Sequence, residues 1–258
     1  MKISIIIPVL NSDKYLKKCL NSIFNQEYKN FEVIVVDGFS TDNTNDILKE
    51  YQSLHENLLI VHRKPCGEPD AINAGIELSN GEIVAFIDSD DIYYQDAFTK
   101  IVDYFLRHEK VSLVYGKANI IDSDGKNIRN MITEAKKPFQ ILNAQWLLLL
   151  LDYIVQPTVF MKRDMMNKIG LFNSDKLVTD YEYWLRSYSK GYKFGFVDEK
   201  IADYRAHSDT MSSRYQTDQI NDAYKWKRHY AITMRKFWMI PLQYFEYLIE
   251  RLLYKLVK

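Results

Sequence analysis

Apolar residues along this chain alternate between two textures. Lys2 to Val9, Phe31 to Val36, Leu58 to Val61 and Ile83 to Ile87 are short runs rich in Ile and Val, and they read as strands. The last is five unbroken apolar residues, the mark of a strand buried on both faces. Between these runs the apolar spacing changes to three and four. Tyr15, Leu16, Cys19, Leu20, Ile23 and Phe24 follow the capping residues Asn11-Ser12-Asp13, and Ile47, Leu48 and Tyr51 follow Ser40-Thr41-Asp42. Ala71, Ile72, Ala74, Gly75 and Leu78 follow Pro69, which suits a first helical position, and Gly81 closes that helix. Three β-then-α units feeding a fourth strand predict an α/β fold with a doubly wound, mostly parallel sheet and right-handed crossovers.

The second half is less regular. A helix is expected over Tyr94 to Arg107, a strand over Val111 to Tyr115, and a hairpin turn at Asp122-Ser123-Asp124-Gly125. That turn lacks the further acidic ligands of a Ca²⁺ loop. Phe139 to Tyr153 reads as an apolar core helix and Val159 to Lys162 as a strand. A helix starts at Thr179 or Asp180, and strands follow at Tyr192 to Val197 and Ile201 to Arg205. After Ser213 the composition turns to long basic-aromatic helices, which divides the chain into 1–213 and a helical tail, 214–258.

Net formal charge is zero, which argues against nucleic acid as a partner, but residues 224–258 carry eight Lys or Arg against two Glu, so the tail is +6 and the rest −6. The only two cysteines, Cys19 and Cys66, have no metal spacing and form no disulfide framework, so a reducing compartment is expected. Ile3 to Leu10 is broken by Ser4 and Pro8 and reads as a strand, not a signal peptide. Trp146 to Leu151 falls far short of the ~20 residues that span a bilayer. An integral membrane protein is not expected.

Candidate chemistry begins where the Ile83 strand ends, in Asp88-Ser89-Asp90-Asp91. Three carboxylates at the tip of a buried strand repel one another and are costly to desolvate. A divalent cation neutralises them, and hard oxygen ligands suit Mg²⁺ or Mn²⁺. Ligands of open α/β sheets bind at such carboxyl ends. A solvated acidic turn capping the next helix is the alternative. The first β–α turn, Pro8-Val9-Leu10-Asn11-Ser12-Asp13, contains no glycine, so the dinucleotide fingerprint and the P-loop are both missing.

In order and spacing, these pieces resemble the family 2 glycosyltransferases, inverting enzymes of the GT-A fold, in particular bacterial ones that assemble cell-surface polysaccharides. The carrying residues are Ser4 to Asn11, Glu32 to Asp42, Asp70-Ala71-Ile72-Asn73-Ala74-Gly75-Ile76, Asn80-Gly81-Glu82, Asp88 to Asp91, Asp180 to Arg186 and Tyr204-Arg205-Ala206-His207, across about residues 1–210. The resemblance implies a nucleotide-sugar half over about 1–116 and an acceptor half over about 117–213. It places Pro8, Val9 and Asn11 in a nucleoside pocket, with Asp37 accepting a hydrogen bond from the base and Arg63 or Lys64 flanking it. Asp70, Asp88, Ser89 and Asp90 complete the donor site. Asp88 and Asp90 form a DxD motif for Mn²⁺ or Mg²⁺, with His207 at the metal or diphosphate.

Asp180 matches the family's general base, although Thr179 replaces the common Glu before it. The other assignment of these carboxylates has Asp180 capping its helix and Glu182 as the working group. Gln156, Glu182 and Trp184 fall at the acceptor. Ile72 stands where relatives often carry Arg. The implied activity is transfer of a sugar from a nucleotide-sugar donor to a saccharide or polyprenyl-linked acceptor, on the inner face of the cell membrane. A sugar nucleotidyltransferase and a catalytically silent saccharide-binding scaffold are the rivals; the absent Gly-rich loop speaks against the first and the intact carboxylates against the second.

In the tail, Ala223, Trp226, Tyr230, Met234 and Phe237 form one stripe, and Leu242, Phe245, Ile249, Leu252 and Leu256 another. Basic amphipathic helices of this kind suit an anionic membrane surface, and packing on the domain or a homodimer interface is the alternative.

Overall fold

The computed structural model describes residues 1–64, 67–128, 131–174, 177–206 and 216–257. An eight-stranded sheet runs through it in the order β3-β2-β1-β4-β7-β6-β8-β5. Its strands are β1 (Ile3–Val9), β2 (Phe31–Asp37), β3 (Leu58–His62), β4 (Ile83–Phe86), β5 (Ile92–Tyr93), β6 (Val111–Ile121), β7 (Phe160–Lys162) and β8 (Lys193–Arg205). The first four in that order are parallel. β7 runs antiparallel to both its neighbours, β6 and β8 are parallel, and β5 lies antiparallel at the far edge.

Helices α1 (Leu16–Phe24), α2 (Thr44–Leu54) and α3 (Glu68–Leu78) are the three crossovers expected from the pattern. Both faces of the sheet are covered. Ile3, Ile5, Ile7 and Val9 of β1 point to one core with α1, α2 and α4 (Ala97–Arg107), while Ile6 points to the other with α3. Gly81 is required where the chain re-enters the sheet. A Cβ there would lie 2.5 Å from Ser4 Oγ and 2.8 Å from the Lys2 carbonyl, and its N–H donates to Ser4 Oγ at 2.7 Å.

Two expectations change. The single helix over Phe139 to Tyr153 is instead the end of α5 (Met131–Leu142), a left-handed Asn143 (φ 44°), and a short 3₁₀ turn over Gln145–Leu149. Consecutive apolar residues carry no helical period, and here side chains take up the backbone carbonyls. Tyr181 Oη donates to Leu148 O at 2.5 Å, Gln243 Nε2 to Leu149 O at 2.8 Å and Lys227 Nζ to Leu150 O at 3.2 Å. The strands expected at 192–197 and 201–205 are one strand, β8, whose irregular register passes Gly116 and Lys117.

The remaining helices are α6 (Arg163–Ile169), α7 (Thr179–Ser189), α8 (Gln216–Thr233) and α9 (Ile240–Val257). α8 is built into the second core through Tyr230, and the 3₁₀ turn Phe237–Met239 that leads into α9 through Met239. Tyr230 Oη donates to Glu182 Oε1 at 2.6 Å, and buried Lys227 pairs with Glu246. Burial pushes the Glu246 carboxyl up to about 7 against the pull of Lys227. Lys227→Met leaves that carboxyl buried without its cation, and urea unfolding is expected to lose about 3 kcal/mol. The double variant with Glu246→Leu should recover most of this loss.

Candidate active site

β1, β2 and β4 run side by side in parallel, so the loops after them meet at the carboxyl edge of the sheet. Asp37 closes β2 with no exposed surface. One of its oxygens accepts the Ser40 hydroxyl at 2.5 Å and the other lies 3.0 Å from His62 Nδ1. Asn11, in left-handed backbone (φ 51°), accepts the Thr41 N–H at 2.8 Å and donates its own N–H to Ser40 Oγ at 2.9 Å. Left-handed backbone is tolerated best by Asn and Gly, so this residue type fits the turn. The two loops are thereby tied together, and Phe39 (φ 63°) is left exposed against the His62 ring. Pro8 is half-buried, Val9 is buried, and Arg63 pairs with Asp70 at 3.4 Å. The sequence pointed to Asp37 but not to His62, since a lone His in a strand carries no local signal.

Beyond β4 the chain turns at Asp88, where the Asp91 N–H donates to the Asp88 carbonyl at 3.1 Å, and Ser89 Oγ donates to Ser12 Oγ at 2.8 Å. Carboxylate oxygens of Asp88, Asp90 and Asp91 lie within 4.8 Å of one another. Burial first, then the surrounding carboxylates, push Asp88 and Asp91 well above the usual range. Asp91 Oδ1 accepts the Arg205 N–H at 2.7 Å, while its Oδ2 is buried with no hydrogen-bond partner. Three hard oxygen donors, one of them orphaned, fit a divalent cation. The DxD motif names only Asp88 and Asp90, and Asp91, the third carboxylate of this acidic run in the sequence, stays with them in space. His207 lies outside the described residues.

Arg205 is a site residue that the sequence reading left without a role. It is fully buried, donates Nε to the Asp90 carbonyl at 2.8 Å and an Nη to the Asp122 carbonyl at 2.7 Å, and lies over the Tyr15 ring. It therefore holds the acidic turn through the Asp90 carbonyl and, by its own N–H, through the Asp91 carboxylate. Its place two residues before His207 in a motif was the available signal.

Asp180 sits in the first turn of α7, one oxygen accepting the Tyr181 N–H at 2.7 Å. Burial raises its pKa, opposed by that hydrogen bond and by Lys136. Asp152, on the clamped 148–154 segment, is raised to about 7 by burial, with Lys136 and the Asp180 carboxylate its leading charged neighbours. Gln156 Nε2 donates to the Phe86 carbonyl at 2.7 Å, so its amide braces the end of β4.

Glu182 and Trp184 correct the acceptor expectation. Glu182 is 3% exposed, locked to Tyr230 and to Arg186 at 3.2 Å, and Trp184 is fully buried among Phe172 and Tyr183. Both side chains are taken up by the interior, Glu182 because α8 covers the face of α7 that carries it.

Fold and site together define an α/β protein with a mostly parallel sheet and an acidic turn at its carboxyl edge. Residues 4–170 match glycosyl transferase family 2, and the chain belongs to that family. It is 30% identical over 214 residues to an uncharacterized glycosyltransferase of Rickettsia conorii, covering 82% of this chain and 35% of the relative. It is 28% identical over 212 residues to the putative teichuronic acid biosynthesis glycosyltransferase TuaG of Bacillus subtilis, covering 82% of this chain and 81% of TuaG. The chain thus spans about a third of the first relative and four fifths of the second. Among solved structures, Staphylococcus aureus TarS in complex with UDP-GlcNAc superposes with a TM-score of 0.71 at 24% identity, over 90% of this chain and 66% of that one. The mannosyltransferase PcManGT of Pyrobaculum calidifontis, in complex with GDP-Man and Mn²⁺, superposes with 0.69 at 17% identity, over 95% of this chain and 73% of that one. These likenesses establish the GT-A fold.

Proposed function

We propose that this protein is a metal-dependent inverting glycosyltransferase that moves one sugar from a nucleotide-diphosphate donor to a saccharide or lipid-linked saccharide of the cell surface. The observation that carries the reading is the cluster of Asp88, Asp90 and Asp91 carboxylates beyond the end of β4, with the Asp180 carboxylate among the charges that act on Asp88. Asp88, Asp90 and Asp91 would hold Mn²⁺ or Mg²⁺, which supplies Lewis-acid neutralisation of the departing diphosphate. Asp180 takes the proton of the acceptor hydroxyl as its oxygen attacks the anomeric carbon from the face opposite the leaving group. Asp37, oriented by Ser40 and His62, binds the nucleobase edge, and Phe39 offers it a ring to stack on. The complexes of the structural neighbours with UDP-GlcNAc and GDP-Man support a nucleotide-sugar donor, and the name of TuaG supports a cell-surface polysaccharide product. A screen of UDP, GDP and dTDP sugars for release of free nucleoside diphosphate tests this. One donor or a few should turn over with Mn²⁺ or Mg²⁺ and stop in EDTA. Release from none of them, or undiminished release in EDTA, overturns the reading.

Membrane contact belongs to the same proposal. No helix among the described residues is long and apolar enough to cross a membrane. The inner stripe of α8 is taken up by the core, but Leu242, Phe245, Ile249 and Leu252 of α9 are exposed, as are Phe237 and Trp238 before it. Trp238 tilts against Trp146, also partly exposed, and Lys225, Arg228, Arg235 and Arg251 stand exposed around them. An aromatic and aliphatic surface with a basic rim suits an anionic bilayer interface. The full chain should co-sediment with phosphatidylglycerol vesicles, less so at high salt, and Trp238→Ser with Phe245→Ser should release it. A concentration-dependent dimer lost in the same variant, without vesicle binding, would assign the face to a second copy instead.

A further inference from the structure

The turn that carries Asp180 is held from the tail. One Asp180 oxygen accepts the Tyr181 N–H at 2.7 Å, which ties the carboxylate to the backbone of the next residue. Tyr181 is buried, and its hydroxyl donates to the Leu148 carbonyl at 2.5 Å. The next two carbonyls of that segment, Leu149 and Leu150, accept from Gln243 Nε2 at 2.8 Å and from Lys227 Nζ at 3.2 Å. Gln243 has no exposed surface, and its Nε2 also donates to the Lys227 carbonyl at 3.0 Å, which joins α9 to α8. Glu182, just past Tyr181, accepts the Tyr230 hydroxyl of α8 at 2.6 Å. A series of hydrogen bonds therefore runs from α9 through residues 148–150 to the residue that follows Asp180.

Stability alone does not account for this build. Replacing buried charged and polar groups by apolar ones of similar volume is often neutral or stabilising. Here Lys227 and Gln243 stay buried, and the network is not even complete. Gln243 Oε1, and Asp152 Oδ1 on the same clamped segment, are buried with no hydrogen-bond partner among the described residues. What directional bonds do supply is a single fixed arrangement, where apolar contacts would let the segment slide. A general base needs that, since a misplacement of about 1 Å costs on the order of 100-fold in rate. We propose, on the reading of Asp180 as the general base, that Tyr181 and Gln243 are its positioning residues. Through them the tail helices set where the Asp180 carboxylate stands against the acceptor hydroxyl. No bond is made or broken at either side chain.

The test uses the full chain with Tyr181→Phe and Gln243→Met, each of which removes a donor at nearly constant volume. Tyr183→Phe is the control. Tyr183 lies on the same helix, but its hydroxyl donates to the Gly170 carbonyl at 3.1 Å and not to residues 148–150. Calorimetry in Mn²⁺ identifies which of UDP, GDP and dTDP the wild type binds. Release of that diphosphate from its sugar nucleotides, with water as acceptor, then reads turnover. Tyr181→Phe and Gln243→Met should lower kcat about 10- to 100-fold. Their Kd for the diphosphate should stay within about twofold, as an effect confined to the transition state requires. Tyr183→Phe, which loses the same kind of bond, should lower the melting temperature and keep kcat. In the Asp180→Asn background the two positioning variants should cost less than about twofold more, because the group they act through is already gone. Unchanged kcat in folded Tyr181→Phe or Gln243→Met would overturn the role of that residue. An equal proportional loss in the Asp180→Asn background, or in Tyr183→Phe, would mark a general loosening and overturn the proposal. Full turnover in Asp180→Asn alone would instead overturn the base reading and this inference with it. A wild type that releases no diphosphate from any sugar nucleotide would overturn the glycosyltransferase reading, a result distinct from the others.

Discussion

Asp90→Ala abolishes turnover and metal-dependent donor binding while leaving the fold intact. Three carboxylates whose oxygens crowd within 4.8 Å are poorly arranged for stability and well arranged for a cation. The two whose pKa is raised, Asp88 and Asp91, owe the shift to burial and then to neighbouring carboxylates, Asp90 among them. Removing the Asp90 charge relieves that repulsion, so the melting temperature should hold or rise slightly. The turn keeps its shape because Arg205 holds the Asp90 backbone carbonyl and not its side chain. Calorimetric titration with Mn²⁺ and nucleoside diphosphate, alongside circular dichroism, separates the two effects. Undiminished turnover in the variant would remove Asp90 from the metal site.

Asp180→Asn lowers kcat by about 10²- to 10⁴-fold, the range of a lost general base. Donor affinity should stay within about twofold, because the residue serves the acceptor hydroxyl and not the diphosphate. Loss of donor binding together with activity would move Asp180 into the nucleotide site. The wild-type pH profile carries a second signature. A base works in its deprotonated form, so activity rises as pH passes its pKa, and burial has raised that pKa above the ordinary carboxylate value. The acid limb should therefore lie above pH ~4, and it should disappear in the Asn variant. A limb at the ordinary carboxylate value would mean that Asp180 is solvated in the working enzyme.

The tail shows where sequence periodicity stops being informative. Both apolar stripes past Ser213 have the same three-and-four spacing, yet the one through Trp226 and Tyr230 packs inward and the one through Leu242 and Phe245 faces out. α9 turns Gln243 and Glu246 inward, because carbonyls left open at the end of the 3₁₀ turn, Leu149 and Leu150, and the buried Lys227 ammonium need polar partners. A truncation of these helices would open the second core, so point variants on the outer face are the sound probe of membrane contact.

The sequence by itself determined the order of β and α units, the buried strand that ends in carboxylates, and the motif series that marks the family. Each of these is written locally. A strand covered on both faces needs an unbroken apolar run, and a crossover helix needs a cap and a stripe. The tertiary structure alone decided that Arg205, 115 residues from Asp90, holds the acidic turn, and that Glu182 and Trp184 are buried in the core. Such pairings depend on how separate segments cross in space, and the period of a strand or helix carries no record of which distant segment will cover each of its faces.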